Sequence, residues 1–444
     1  MNVFKLLTYD IKEHNYIRYT SFLPIDNPEG FWQMIFREIK NGIGRRRIWY
    51  IIQQIWNPFY KNCEPLNKVV FVPISGNNVR VMQPIWEKLD IGDYSILEYW
   101  NEKYVPTKLV RFWSLVYILP LIRLYFKSTR DEKNLIRTYF EEFFYTMGWF
   151  VVLNKLLIHH PIKLLVFSND HCSCPRVLTK IAKELGIKTL YTQHCSVTER
   201  FPPLSFDYSF LDGLESYLKY LQAGFPQGKV YLSGNPRFDI MHQYKNIKIN
   251  KKKIGIALNH HDDEKEIKSL CMSLLTRGYN QIVIRSHPDE KFDPTWYMEH
   301  GIEYSDSNVE NPFEFISRMK FIIAGECGIH LDATLMGIQS IYYNMSNEPP
   351  LDWYSYIRNG LVFYAGNIDE LFNILSSDNS NYQENIRVKA KWYNAAYDTV
   401  HEGFIGDMMA DFIRCELNNK IDFFDTKYGF KKTFYHDNII KTLS

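Results

Sequence analysis

Short apolar runs alternate with helical patterns along most of this chain, and this alternation limits the folds open to it. The runs are four to seven residues long and are separated by polar or glycine-containing turns. Strands that are apolar on both sides are typical of a parallel sheet covered by helices on both faces. The alternation therefore predicts an α/β protein. The eight runs are 68–74, 163–167, 188–191, 229–232, 254–258, 281–285, 321–324 and 340–343.

The length of the chain predicts more than one domain. At 444 residues it exceeds an ordinary single domain. The run NIKINKKK at 246–253 is polar and basic, and we interpret it as a linker. We therefore expect two Rossmann-like domains facing a cleft, because ligands bind outside the carboxyl ends of such strands. The predicted domains are an N-terminal acceptor-binding domain with a helical extension at 1–245, a donor-binding domain at 254–365, and bracing helices at 366–444.

The composition of the chain indicates which class of partner it binds and in which compartment it works. Lys and Arg number 52 against 50 Asp and Glu, so the formal charge of +2 argues against a nucleic-acid partner. Seven cysteines without a Cys-x-x-Cys pair, and no signal-peptide pattern at the start, predict a reducing cytoplasm. Cys172 and Cys174 have no second pair of suitable ligands, so we expect no metal.

Two segments raise the question of a membrane. Residues 31–60 combine aromatic side chains with the Arg45-Arg46-Arg47 run, a composition typical of a helix on an anionic membrane surface. The alternative is that the aromatic side chains pack on the body of the protein. The apolar run 109–126 contains Arg111, Pro120 and Arg123, so we interpret it as a buried or interfacial helix and not as a spanning one.

Polar residues directly follow the run 281–285. Arg285, Ser286, His287 and Pro288 stand at the predicted strand end. A guanidinium matches the oxygens of a phosphate, and an imidazole offers a donor that can become charged. These residues predict a phosphate site, whereas the alternative is a polar strand end that Pro288 terminates.

A glycine-bounded turn, AGECGIHLDA, follows the run 321–324. Its two glycines let the backbone approach a ligand, and a helix predicted from 328 to 336 would point its N-terminus at a phosphate. Carboxylates at Glu326 or Asp332 would accept hydrogen bonds from ribose hydroxyls. The alternative is ordinary helix capping. The predicted binding residues are Gly325, Glu326, Cys327, Gly328, His330 and Asp332.

Candidate catalytic residues follow two runs of the first domain. Asp170 and His171 come after the run 163–167, and His194 comes after the run 188–191. In a parallel sheet these ends are neighbours, and a carboxylate beside an imidazole can deprotonate a hydroxyl. Asp170 and His194 are the predicted catalytic pair, with helix capping as the alternative for Asp170.

These motifs resemble those of GT-B glycosyltransferases of bacterial surface polysaccharide assembly that use CMP-linked or CDP-linked donors. His287-Pro288 resembles the His-Pro element of bacterial sialyltransferases, and the turn at 325–332 takes the place of their serine-rich phosphate turn, with Glu326-Cys327 where hydroxyl residues are typical. The stretches NDH, QHCSVTERFPPL and FDYSFLDG look closer to capsule and lipopolysaccharide transferases, including the CMP-Kdo enzymes.

A second resemblance keeps another reaction open. GNPRFD at 234–239 is similar to the Gly-x-Pro-Arg-x-Asp element of teichoic acid glycerophosphotransferases, and it adds Asn235 and Arg237 to the predicted nucleotide-binding residues.

Together the resemblances imply a metal-independent GT-B enzyme that needs no cofactor and transfers a sugar from a CMP-linked ulosonic acid to a polysaccharide or lipid-linked oligosaccharide. Asp170 would act as base or nucleophile. The alternatives are a CDP-glycerol glycerophosphotransferase and a non-catalytic nucleotide- or sugar-binding scaffold. The expected location is the cytoplasm, with peripheral contact to an anionic membrane.

Overall fold

The fold was analysed on a computed structural model that describes residues 3–17, 30–42, 64–98, 105–199, 201–245, 253–288, 290–377, 382–435 and 438–443. Its strands are β1 (Val69–Val72), β2 (Tyr94–Ile96), β3 (Leu164–Phe167), β4 (Lys188–Thr192), β5 (Tyr208–Leu211), β6 (Lys229–Leu232), β7 (Lys253–Ala257), β8 (Ile282–Arg285), β9 (Glu303–Ser305), β10 (Met319–Ala324), β11 (Gln339–Tyr343), β12 (Phe363–Ala365), β13 (Phe430–Tyr435) and β14 (Asn438–Leu443).

The helices are α1 (Val3–Ile17), α2 (Phe31–Gly42), α3 (Gly76–Trp86), α4 (Thr107–Val116), α5 (Ile118–Lys127), α6 (Arg130–Thr138), α7 (Phe140–Ile158), α8 (Ser173–Leu185), α9 (Leu214–Ala223), α10 (Met241–Lys245), α11 (Glu264–Thr276), α12 (Thr295–Glu299), α13 (Pro312–Ser317), α14 (Ile329–Leu335), α15 (Ile368–Ser376), α16 (Tyr382–Tyr393), α17 (Ile405–Leu417) and α18 (Ile421–Lys427).

The chain is divided into two compact units. The first contains residues 1–211, 217–237 and 406–444, and the second contains residues 212–216 and 238–405. Each predicted apolar run contains a strand, so the α/β prediction is confirmed. The predicted domain bounds differ from these units at the C-terminal end, where 366–405 fall in the second unit and 406–444 in the first. Most of the predicted linker, 246–252, lies outside the described residues.

The first unit is built on an eight-stranded sheet with the order β13-β14-β6-β5-β4-β3-β1-β2. Its strands pair in parallel from β14 to β2, and only β13 runs antiparallel to its neighbour β14. Strands β1, β3 and β5 are buried along their whole length, as expected for strands covered on both faces. The carboxyl ends of β6, β5, β4, β3 and β1 therefore meet at one edge of this sheet.

The helix α8 shows how local sequence fixes the strand–helix–strand order. It follows β3 and ends at Gly186, whose φ of 71° is the left-handed conformation that a residue without a Cβ adopts at little cost. The chain then turns directly into β4, which pairs with β3 from Leu164–Lys188 to Phe167–Tyr191.

The second unit contains a six-stranded parallel sheet with the order β12-β11-β10-β7-β8-β9. The adjacent strands β10, β7 and β8 are central in this order, so the loops after them lie side by side. The apolar side chains of β7, β8 and β10 are buried, which fixes these strand ends on a rigid base.

Membrane-spanning potential is limited among the described residues. No single helix there is long and apolar enough to cross a bilayer, but α4 and α5, bent by 57° relative to each other, pass that test of length and composition as a pair. Residues 43–60 of the aromatic and basic segment lie outside the described part of the chain.

Candidate active site

Three loops meet at the carboxyl edge of the second sheet. Residues 258–263 follow β7, residues 286–288 follow β8, and residues 325–328 follow β10. The pairs Ala324–Ala257 and Ala257–Arg285 place these three ends in register. The predicted donor residues after β8 and β10 are thus brought to one edge, with the loop after β7 between them.

The loop after β7 is a polar turn that the sequence analysis missed. The Asn259 amide N–H donates to Asp262 Oδ2 at 2.8 Å, and the His261 amide N–H donates to Asn259 Oδ1 at 2.7 Å. Burial raises the pKa of Asp262 to about 7, although the hydrogen bond from the Asn259 backbone opposes this shift. The sequence does contain a signal for this loop, because ALNHHDDE follows a predicted strand in the same way as the other two motifs do.

Gly325 lies close against this turn. A Cβ at Gly325 would lie 3.1 Å from Asp262 Oδ1 and 3.3 Å from Asn259 Nδ2, which is tighter than ordinary contact. At Gly328 a Cβ would have no neighbour within 4 Å. Gly325 is therefore required by its close contact with the loop after β7, and the approach of this backbone to a ligand stays a prediction.

A pair of imidazoles joins the loops after β7 and β8. The ring centroids of His260 and His287 are 3.9 Å apart, and His260 Nδ1 lies 2.6 Å from Glu290 Oε1. His260 is exposed and His287 half-buried, so both imidazoles lie at the surface of the unit. Next to them, burial and the neighbouring His260 lower the pKa of His261, against the opposing charge of Glu290.

Arg285 and Ser286 are held by bonds within the unit. The buried Arg285 guanidinium donates from Nη1 to Ser305 Oγ and from Nη2 to the Glu310 carbonyl oxygen, both at 2.8 Å. The buried Ser286 hydroxyl lies 3.1 Å from the Tyr304 hydroxyl. In this structure the guanidinium thus ties β8 to the segment after β9. A phosphate-binding role for Arg285 stays a prediction.

Glu326 likewise makes bonds within the unit. Its carboxylate accepts hydrogen bonds from the Trp353 amide N–H at 2.9 Å and from the Tyr342 hydroxyl at 3.1 Å. Burial raises the pKa of Glu326, and these two hydrogen bonds oppose the rise. Burial is also the main reason that the pKa of the Cys327 thiol is raised. The helix that follows, α14, has seven residues, so its dipole is shorter than the sequence prediction assumed.

The buried His330 connects the glycine turn to β11 by hydrogen bonds. Its Nε2 lies 2.9 Å from the Gly325 carbonyl oxygen and its Nδ1 2.7 Å from Ser340 Oγ. A carbonyl can only accept, so Nε2 carries the proton and Nδ1 accepts from the hydroxyl. Burial lowers the pKa of His330 to about 4, so the ring is neutral. His330 and the buried Asp332 lie on α14, whose residues are all buried.

The first unit contains the predicted catalytic residues. Asp170, after β3, is buried, and its Oδ1 lies 3.5 Å from His171 Nε2. Burial, reinforced by the negative charge of Glu13, raises the pKa of Asp170 to about 7, while Arg176 opposes the rise. Such a carboxyl exchanges its proton near neutral pH, as a general base must.

His194 stands after the neighbouring strand β4. Its ring centroid is 5.6 Å from that of His171, so the ends of β3 and β4 bring His171 and His194 together, and the pairing of His194 with Asp170 stays a prediction. Burial lowers the pKa of His194 to about 4, and a hydrogen bond to the backbone of Ser168 opposes the shift. Its Nδ1 is buried and has no hydrogen-bond partner among the residues that the structure describes. A neutral imidazole with this free nitrogen can accept a hydrogen bond from a ligand hydroxyl.

Asn235 and Arg237 belong to this first unit and not to the unit that holds the loops after β7, β8 and β10. The side-chain amide of the buried Asn235 donates from Nδ2 to the Gln193 backbone carbonyl oxygen at 2.6 Å. This bond connects the end of β6 to the end of β4. The charge of Arg237 contributes to the lowered pKa of His194. The structure therefore groups Asn235 and Arg237 with the predicted catalytic residues.

A buried ionic cluster supports Asp170 from the N-terminal helix. Arg176 is only 2% exposed. Its Nε donates to Asp10 Oδ1 at 2.6 Å, and its Nη1 lies 3.4 Å from the Asp170 carbonyl oxygen. Asp10 and Glu13, both on α1, are buried as well. No sequence motif marks α1 as part of this region.

Metal ligands are not clustered in the described ranges. Among those residues, no group of three or more His, Cys, Asp or Glu side chains could hold a metal ion.

Comparisons with known proteins identify the fold. No family model matches the chain, and no curated protein matches it in sequence. Among solved structures, the S. aureus MnaA–UDP co-structure is similar with a TM-score of 0.50 and 13% identity, over 80% of this chain and 97% of that one. UDP-GlcNAc 2-epimerase from Neisseria meningitidis bound to UDP-GlcNAc has a TM-score of 0.48 and 14% identity, over 79% and 99%.

A structure of the wall teichoic acid polymerase TagF with CDPG is also similar, with a TM-score of 0.49 and 12% identity over 88% of this chain and 98% of that one. At such identities the similarity concerns the fold alone. The two parallel-stranded sheets and the similarity to the MnaA structure, whose TM-score is 0.50, confirm the predicted class, an α/β protein of GT-B type with two Rossmann-like domains.

Proposed function

We propose that this chain is a glycosyltransferase that moves a sugar from a cytidine nucleotide, such as a CMP-linked ulosonic acid of the Kdo or sialic acid kind, to a polysaccharide or lipid-linked oligosaccharide. The observation that carries the proposal is the His260–His287 pair at the ends of adjacent parallel strands, beside the Gly325 turn. Ligands of such sheets bind at this edge. A solved structure of similar fold holds UDP, in agreement with a nucleotide ligand.

The donor phosphate is the group that these imidazoles would bind. A leaving nucleotide gains negative charge as the glycosidic bond breaks, and protonated imidazoles stabilise that charge. Glu290 Oε1 lies 2.6 Å from His260 Nδ1, so the His260 ring is held at this edge by a hydrogen bond. In this proposal Arg285 and Ser286 position the loop that ends in His287-Pro288, and the backbone of 325–328 contacts the donor.

The acceptor hydroxyl is assigned to Asp170 and His194. Asp170 takes the proton of the hydroxyl in an inverting reaction, or attacks the sugar as a nucleophile in a retaining one. Its pKa of about 7 suits proton exchange near neutral pH. His194, neutral and with Nδ1 free of partners among the described residues, accepts a hydrogen bond from a second hydroxyl of the acceptor.

Nucleotide binding is the first test. We expect CMP and CDP to raise the thermal unfolding midpoint more than UMP, UDP or GDP, because a ligand that binds only the folded state stabilises it. His260→Ala and His287→Ala should each weaken CMP binding about 10- to 100-fold, the value of a charge-assisted hydrogen bond. His300→Ala is the matched control, since this exposed histidine of the same unit stacks on Trp296 at 4.1 Å.

Two outcomes would contradict the assignment of the donor site. A preference for UDP or GDP would contradict the proposal of a cytidine donor. Unchanged CMP affinity in both histidine variants would show that His260 and His287 do not bind the donor.

Turnover separates the alternatives. CMP release accompanies both glycosyl transfer and glycerophosphate transfer, but only the second, from CDP-glycerol, puts phosphorus into the product. Asp170→Ala should abolish transfer while CMP affinity stays within about twofold, because the two functions are assigned to different units. A scaffold would show no turnover in the wild type. We also expect transfer to continue in a chelator, and a divalent-ion requirement would contradict the proposed charge stabilisation by side chains.

The proposed place of action is the cytoplasm, at the inner face of the membrane. Cysteine usage favours a reducing compartment, and a lipid-linked acceptor would be presented there.

A further inference from the structure

An exposed apolar face lies on α2 and α5 in the first unit. Stacking of the Phe31 and Tyr125 rings, with centroids 3.8 Å apart, joins the two helices, and the Trp32 and Phe126 centroids are 6.3 Å apart. Four large side chains point outward: Trp32 is 49% exposed, Phe36 65%, Leu119 71% and Phe126 58%. So large an apolar face on a protein surface usually marks an interaction site.

The core does not require these four side chains. The same helices bury a separate set of apolar residues on their inner side, namely Phe31, Met34, Ile35, Leu121 and Leu124. Packing against the unit is therefore complete without the outer set. The sequence left two interpretations of the aromatic segment, packing on the body or lying on a membrane surface. In α2, one set of apolar side chains packs on the body and the other set faces outward, so each interpretation applies to a different set.

The exposed charged side chains of α2 and α5 themselves are cationic. Lys40 on α2 and Arg123 and Lys127 on α5 are exposed. Arg37 is exposed too, and its Nη2 lies 3.5 Å from Glu141 Oε1 on α7. The single carboxylate of the two helices, Glu38, is buried, and its Oε2 lies 3.6 Å from Arg111 Nε.

We propose that this α2–α5 face, formed by Trp32, Phe36, Leu119, Phe126, Lys40, Arg123 and Lys127, docks on an anionic lipid surface. Apolar side chains enter the interface between headgroups and acyl chains while flanking cations contact lipid phosphates. A second copy of the chain fits less well, because a symmetric contact would bring the same cations against one another. Charge complementarity therefore favours the membrane.

Vesicle flotation tests the proposal with the full chain. We expect binding to vesicles of phosphatidylcholine with phosphatidylglycerol, weak binding to phosphatidylcholine alone, and release by high salt. Neutralising Lys40, Arg123 and Lys127 together to Gln should reduce partitioning on the order of 100-fold, at roughly fivefold for each cation. The double variant Phe36→Glu with Phe126→Glu should abolish it.

Matched controls lie on β13 of the same unit. Phe434→Glu makes the same change at a phenylalanine that is 75% exposed, and Lys431→Gln with Lys432→Gln removes two exposed cations. These variants should float like the wild type. All variants are first compared by thermal unfolding, so that a loss of folding is recognised.

Three outcomes would overturn the proposal. Equal binding to neutral and anionic vesicles would remove the role of the cations. Equal losses in the β13 controls would show that general charge and hydrophobicity suffice. A dimer that the Phe36 and Phe126 substitutions convert to a monomer, without any vesicle binding, would assign the face to a second copy.

Discussion

The buried charges around Arg176 make a prediction about pH that does not depend on the proposed function. One buried guanidinium lies among three buried carboxyls, those of Asp10, Glu13 and Asp170. Asp10 bonds directly to Arg176 Nε at 2.6 Å and to the Thr146 hydroxyl, so it is the carboxyl that holds the negative charge. A second and third uncompensated charge at this depth would be costly. We therefore expect Glu13 and Asp170 to keep a proton at mildly acidic pH.

The perturbation is Asp170→Asn, which replaces a titrating carboxyl by a neutral group of the same shape. Burial, then the charge of Glu13, raises the pKa of Asp170 from 3.8 to about 7. A carboxyl with a raised pKa binds its proton more tightly in the folded state, so wild-type stability falls as the pH rises from the unfolded to the folded pKa. Between about pH 5 and about pH 8, the loss amounts to roughly 2.5 kcal/mol, which the Asn variant does not suffer.

The assay is the thermal unfolding midpoint of wild type and variant at the two pH values. Relative to wild type, the unfolding midpoint of Asp170→Asn should be about 3–4 °C higher at the higher pH than at the lower one. Glu13→Gln should behave similarly, since burial raises the pKa of Glu13 to about 7. The double variant should gain less than the sum, because the charge of Glu13 is one cause of the raised pKa of Asp170.

Asp422→Asn, at an exposed carboxyl of the same unit, serves as the control and should show no such pH dependence. The reasoning is refuted if the difference between Asp170→Asn and wild type is the same at both pH values. Asp170 would then be ionised throughout, and the balance of buried charges given above would be wrong.

Three further predictions concern single positions. Asp10→Asn leaves the buried Arg176 without its direct partner and should cost about 3–5 kcal/mol in the free energy of unfolding, measured by chemical denaturation. Gly325→Ala should destabilise the second unit and weaken CMP binding, whereas Gly328→Ala should be neutral or stabilising by about 0.5 kcal/mol, as thermal shifts would show. His330, with its pKa lowered to about 4, favours folding above its unfolded pKa, so on acidification from about pH 8 to about pH 5 wild type should lose roughly 2 kcal/mol more than His330→Gln.

The sequence predicted the parallel strands well because burial on both faces demands continuous apolar runs. It missed strands without that signature. β2, β9 and β12 have three residues each, too few for a period to be visible. The prediction of helices throughout 366–444 is wrong at the hairpin β13–β14. This hairpin carries exposed Lys431 and Lys432, because a strand at the sheet edge allows polar side chains, and it therefore lacks a continuous apolar run.

The sequence also located the strand ends but not the bonds of each side chain there. Arg285, Glu326 and His330 all looked like ligand groups, yet each makes at least two hydrogen bonds within its own unit. Their partners come from segments up to 27 residues away, such as Trp353 for Glu326. Such partners follow from tertiary structure, and no local pattern indicates them.

The edge of the second sheet thus divides into side chains that hold the loops and side chains that face outward, and this division can be measured. Glu326→Gln weakens bonds to Trp353 and Tyr342 and should lower stability more than nucleotide affinity. His287→Ala removes a half-buried ring whose centroid lies 3.9 Å from that of the exposed His260, and should lower affinity more than stability. If both variants lose affinity and stability in the same proportion, the loops act as one cooperative unit, and no single imidazole can be assigned to the phosphate.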